Sequence, residues 1–268
     1  MGLIGKSRRT CLVSLAAAVL LAPVLMPGCA APPKPPPIPT FETSSVHYID
    51  PDVLRALAES LPKPPESGPV FEKALTDNVK RLAATTPPLA AEAKDTDPAD
   101  SDYRKYGFDM LGVIDPALGF AGSTLSDDQK AAACPGARPA TCRLLQIAGG
   151  DLAQAKYKVY VRQRPDGSDT RSYPSGHATR AAFQCGLLAA VVEAVPDADQ
   201  RRAAQSALLR EAWVRGLDRL ALGVHFPSDV TAGFVFGQLA AQKIIETDSK
   251  LFREDFNAAR QEWGTRTP

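Results

Sequence analysis

The sequence predicts an all-α fold, a compact single-domain helical bundle, on three observations. Apolar residues recur three and four apart through most of the chain beyond residue 50. Almost nothing alternates with period two, and no Asn-Gly hairpin signal occurs. At 268 residues with 44% hydrophobic side chains, the chain is long enough to bury one sizeable core. A formal net charge of +1 gives no overall attraction to nucleic acid, so any positive potential must be local. No internal repeat is visible.

Residues 1–29 read as a secretory signal. Lys6, Arg8 and Arg9 form a basic start, and Cys11 to Met26 is an apolar run too short and too proline-marked for a comfortable membrane span. Leu25-Met26-Pro27-Gly28-Cys29 resembles a bacterial lipoprotein processing box, with Cys29 as the lipidated residue; Met26 and Pro27 are imperfect for it, and plain cleavage near Ala30 or Ala31 stays open. Residues 30–45 are a Pro-rich tether, and residues 46–268 are the helical domain. The expected location is the periplasm or cell envelope, with Cys29 as a lipid anchor to the membrane if it is processed.

Within the domain, Asp50-Pro51-Asp52 carries the capping chemistry for a short helix over Val53 to Leu61. Val70 to Ala84 follows after a Pro-rich break, with Phe71, Leu75, Val79 and Leu82 at helical spacing. Thr85 to Asp102 reads as a surface loop, Tyr103 to Phe120 as helical, and Ser126-Asp127-Asp128 as a helix start running to Cys134. A helix is expected from Cys142 to about Gln163, weakened at Gly149-Gly150 and stopped by Arg164-Pro165. Further helices are expected over Ser175 to Val195, Asp197 to Arg219, Ser228 to Thr247 and Leu251 to Trp263. Gly233 and Gly237 give the second-last of these a small face for close packing. In an oxidising compartment Cys134 and Cys142, which bracket a short Pro/Gly loop, are expected disulfide partners, and Cys185 is read as a buried free thiol.

Two of the three histidines fall in short motifs. In Pro174-Ser175-Gly176-His177, a helix start would aim free backbone N–H groups and the positive end of its dipole at an anion. In Arg219-x5-His225-x3-Asp229, a carboxylate four residues beyond the histidine can hold one ring nitrogen. Together with Arg164-Pro165, these motifs resemble the three-part signature of the type-2 phosphatidic acid phosphatase and vanadium haloperoxidase superfamily. A signal peptide on an all-helical domain without membrane spans resembles, within it, the class A bacterial non-specific acid phosphatases. The similarity covers about Asp151 to Ala241 closely and the preceding helices only in general pattern.

The resemblance implies an exported, metal-independent acid phosphatase with its phosphate site at helix ends and no cofactor. In it His225 would attack phosphorus to give a phosphohistidine, Asp229 would fix the tautomer of His225, and His177 would protonate the leaving oxygen. Arg164, Ser175, Gly176, Arg219 and a lysine, either Lys156 or Lys158, would hold the non-bridging oxygens. No His, Asp or Glu cluster has metal-ligand spacing. The implied partners are a small phosphomonoester, with inorganic phosphate or vanadate as inhibitor; nucleic acid is not among them, and homo-oligomerisation is left open. A vanadate-dependent haloperoxidase on the same scaffold, or an envelope lipoprotein that binds phosphate without turnover, are the competing readings.

Three positions depart from the family pattern. The family lysine seven residues before the Arg of Arg-Pro is Tyr157 here, flanked by Lys156 and Lys158. On a helix a shift of one residue swings a side chain by roughly 100°. The usual Ser before the second Arg is Asp218, placed to temper Arg219, and the loop from Arg164-Pro165 to Pro174 is short. Taken alone, His47 reads as a surface residue near the tether, and Arg162 as a borderline candidate for leaving-group contact.

Overall fold

The computed structural model describes residues 46–65, 70–85, 110, 113–114, 117–118, 138–167 and 172–265. Helix α1 (Pro51–Glu59) begins where expected, with Asp50 accepting a hydrogen bond from the Asp52 N–H at 2.9 Å and proline in the first turn. Helices α2 (Val70–Thr85), α3 (Pro139–Gln154), α4 (Gly176–Val192), α5 (Ala198–Ala221), α6 (Pro227–Ile245) and α7 (Lys250–Gly264) follow. Asp197 caps α5 by accepting from Asp199 and Gln200 N–H, and Ser249 caps α7 by accepting from Phe252 N–H. All described residues belong to one compact unit, Ile38–Pro268, and none forms a named strand. The protein is all-α, as the periodicity predicts.

Helix α4 is the hub. It is buried on nearly every side, packing most extensively on α6 and then on α5, while α7 lies along α3. Phe183, Leu187, Leu188, Phe236 and Trp263 are core side chains with almost no exposure. The α4–α6 contact is close because α6 offers glycines there. A Cβ at Gly233 would stand 2.7 Å from the Ser175 carbonyl oxygen, and one at Gly237 would stand 2.8 Å from the Ala182 Cβ. The small face read from the sequence is therefore the surface on which the two helices meet.

The main correction concerns α3. Its expected run to Gln163 ends nine residues early, at Gln154. Lys156 adopts a left-handed conformation (φ 48°), which no helix can continue through. Beyond it the chain is extended, with Tyr160 bridging antiparallel to Tyr173 and Ser172 donating from N–H and Oγ to the Arg162 carbonyl. Val161, exposed, and Arg162, buried, show the alternation of an extended segment. Pairing with 172–173 offers these backbone groups partners that a lone helical extension lacks.

Of the expected helix 103–120, only Met110, Val113, Ile114, Ala117 and Leu118 are described; Met110, Ile114 and Leu118 are buried at four-residue spacing. The signal, the tether, Cys29, Cys134 and the predicted helix start at Ser126 lie outside the described residues. Cys142 is disulfide-bonded, and Cys185 is free and buried. His47 is more than a surface residue: its Nδ1 lies 2.7 Å from the buried Asp151, which also accepts from the Tyr48 N–H at 2.9 Å. Among the described residues no helix is long and apolar enough to cross a membrane.

Candidate active site

The starts of α4 and α6 are tied together. The Ser175 N–H, at the N-cap of α4, donates to the Asp229 carbonyl at 2.9 Å. The glycine contacts on α6 permit this approach, so two helix N-termini, each carrying partial positive charge, open on one place. The Ser175 side chain is fully buried, and its Oγ has no hydrogen-bond partner among the described residues.

His225 sits just before α6 and is 2% exposed. Its Nδ1 lies 3.4 Å from Asp229 Oδ2, a long contact of the kind that tightens when a site is occupied. Asp229 Oδ2 also accepts the Phe226 N–H at 2.9 Å, while Oδ1 takes Arg162 Nη1 at 2.7 Å. Burial pushes the His225 imidazole below its ordinary range, against the pull of Asp229, and Lys158 and Arg164 push the same way. Burial would raise Asp229, but His225, the Phe226 N–H and Arg162 outweigh it and hold the carboxyl low. A neutral imidazole beside an ionised carboxylate is the state a nucleophile needs.

His177, in the first turn of α4, is held down to about 2 by burial first, then by Arg219, Arg180, His225 and Lys158. Cations from three segments thus converge on the two histidines. Lys158 is the lysine among them: a Cβ at Gly176 would stand 3.2 Å from its Cε and 3.4 Å from its Nζ. Lys156, the alternative, is exposed and at the left-handed turn, so the structure does not bring it to the cluster. The helical argument for a roughly 100° swing does not apply. Lys158 lies at the centre of a three-residue turn closed by Val159 N–H to the Tyr157 carbonyl at 2.9 Å, which re-aims it toward α4. Arg164 has its Nε buried without a hydrogen-bond partner among the described residues. Arg219 is 1% exposed, next to the buried Asp218.

The structure therefore groups His225, Asp229, His177, Ser175, Gly176, Lys158, Arg164 and Arg219, and leaves out Lys156. Arg162 lies behind Asp229 rather than facing an incoming ligand. Two residues escaped the sequence reading. Arg180, one turn along α4 from His177, was legible from the i, i+3 spacing. Glu72, on α2, accepts from Arg162 Nη2 at 2.8 Å and from the Ser228 N–H at 3.1 Å. No local pattern announces a contact across so much chain. Among the described residues no group of three or more His, Cys, Asp or Glu is arranged to hold a metal ion.

A family model described as the PAP2 superfamily matches residues 84–252, more than half of the chain and all of the three motifs. The chain belongs to the PAP2 superfamily. That superfamily includes phosphatase hydrolases and haloperoxidases. No curated protein matches the chain. Helices α3 to α6 and the segments between them, which together carry the three motifs, lie inside the match, whereas Glu72 lies outside it.

Proposed function

We propose that the protein is an exported phosphomonoesterase, acting on small organic phosphates through a phosphohistidine on His225 without a metal ion. One observation carries the reading: His225, aligned by Asp229, and His177 share a single cationic site where the starts of α4 and α6 meet. Superfamily membership supports phosphoryl chemistry, and residues 1–29 support export.

In this mechanism Lys158, Arg164, Arg219, Ser175 and the Gly176 N–H hold the non-bridging oxygens. His225 Nε2 attacks phosphorus as the bond to the leaving oxygen breaks, and that oxygen takes a proton from His177. Water then attacks phosphorus and gives up a proton to His177 as the phosphorus–nitrogen bond breaks; His225 leaves as neutral imidazole, and phosphate departs with the proton from His177. Burial first, and then the surrounding cations, hold the His177 imidazole low, so in this mechanism its proton enters with the substrate, carried by a phosphate monoanion whose second pKa is near ~6. Activity should fall above about pH 6 as substrate loses that proton. The low pKa of His225 keeps the nucleophile unprotonated into acid. An acid optimum results.

The test is hydrolysis of an aryl phosphate by purified protein, with chelator present, across acid to neutral pH. Chelator-resistant turnover with an acid optimum, lost in His225→Ala, is expected. Peroxide-driven bromide oxidation that requires vanadate, or phosphate binding with no turnover, would contradict the proposal.

A further inference from the structure

We propose that Glu72 is a positioning residue that keeps the Asp229 carboxylate available to His225, by neutralising Arg162 and capping α6 through Ser228. The inference rests on the reading of His225 as nucleophile. It starts from a chain of buried contacts. Arg162, with its side chain 4% exposed, is forked between two carboxylates: Nη1 meets Asp229 Oδ1 at 2.7 Å and Nη2 meets Glu72 Oε2 at 2.8 Å. Its guanidinium lies over the Phe226 ring, 4.2 Å from the centroid, which fixes its plane. Glu72 also accepts from the Ser228 N–H at 3.1 Å and Oγ at 3.0 Å. Ser228 is in the first turn of α6, so Glu72 satisfies an otherwise orphaned helix-start donor from another helix.

Charge decides what this does. Arg162 and Asp229 alone would be a neutral buried pair, and the guanidinium would compete with His225 for the carboxylate. Adding Glu72 leaves two carboxylates against one guanidinium, one net negative charge behind the imidazole. When His225 takes a phosphoryl group at Nε2 while keeping its Nδ1 proton, the ring becomes cationic, and that net charge is its counter-ion. Among the described residues, the other groups whose charges act most on His225 are Lys158 and Arg164 from the extended segment, with His177 of α4 beside them, all neutral or positive. None of them supplies the charge that Glu72 does.

The experiment is Glu72→Gln in the full chain, which keeps the side-chain length. It is followed by nitrogen-15 NMR of the imidazoles and by steady-state kinetics. With three histidines in the chain, His47→Gln and His177→Gln assign the His225 signal. The His225 Nδ1–H resonance should move upfield as its bond to Asp229 weakens. kcat should fall roughly tenfold or more with KM little changed, the expected cost of misaligning a reacting group. A folded variant whose Nδ1–H resonance is unchanged overturns the proposal, even if its melting temperature drops, because a merely structural role predicts that result. If Glu72→Gln does not fold, Glu72→Asp, which keeps the charge but is too short to reach both Arg162 and Ser228, must shift the resonance in the same sense. Should the wild type show no turnover, the resonance still decides the role of Glu72, while the phosphatase reading fails separately.

Discussion

Lys158 and Lys156 differ by two positions in the sequence and by everything in their surroundings. Lys158 Nζ reaches the start of α4, whereas Lys156 is exposed at a left-handed turn. Lys158→Met should weaken phosphate binding roughly 10- to 100-fold, the worth of one charge-assisted hydrogen bond, while Lys156→Met should bind like the wild type. Phosphate competition against an aryl phosphate checks both. The histidines, Asp229, Ser175 and the arginines of the motifs were legible because each chemical role demands a residue type. The choice of lysine was not, because it depends on where α3 stops, and one residue's backbone conformation sets that. Arg162 shows the same limit: its charge was visible, but not that it faces Asp229 from behind.

Helices α4 and α6 hold the site by the closeness of their crossing. Gly237→Ala would set a methyl group against Ala182 and the backbone of α4, where no flexible side chain can yield. Overpacking of this kind costs about 1–3 kcal/mol. Thermal melting should show that loss, and kcat should fall with it, because the Ser175-to-Asp229 bond joining the two helix starts lies just beyond the contact. Melting unchanged from wild type would contradict the packing account. Helix positions were largely legible, since capping residues such as Asp50 and Asp197 mark starts locally. The end of α3 was missed because apolar spacing continues past Gln154 while the chain turns to pair with residues 172–173. Tertiary pairing overrode periodicity there.

At the scale of the molecule, a site filled with cations and neutral buried histidines makes stability depend on pH. Both His177 and His225 are depressed below the ordinary histidine value of 6.5, so below that value the unfolded chain binds more protons than the folded one. Stability from this source is complete above about pH 6.5 and declines as pH falls, by up to about 1.4 kcal/mol per pH unit for each histidine. Asp229 adds the same sense further down, since its low carboxyl contributes stability that is lost as pH drops through the ordinary carboxylate range near ~3.9. Denaturant titrations from neutral to acid pH should show the decline, and His177→Gln should flatten it. Saturating phosphate should reverse part of it, by about 2.7 kcal/mol at a hundred times its Kd. Fold class was open to reading at this scale, but the Glu72 link was not, because it joins α2 to α6 across most of the domain.

In the proposed reaction His225 carries the phosphoryl group. Rapid quenching of turnover into base, followed by mass spectrometry of the peptides, tests it most directly. A base-stable, acid-labile phosphoryl adduct is expected on the peptide bearing His225, absent in His225→Ala and accumulating in His177→Gln. Turnover without that adduct, or an adduct on His177 instead, would contradict it.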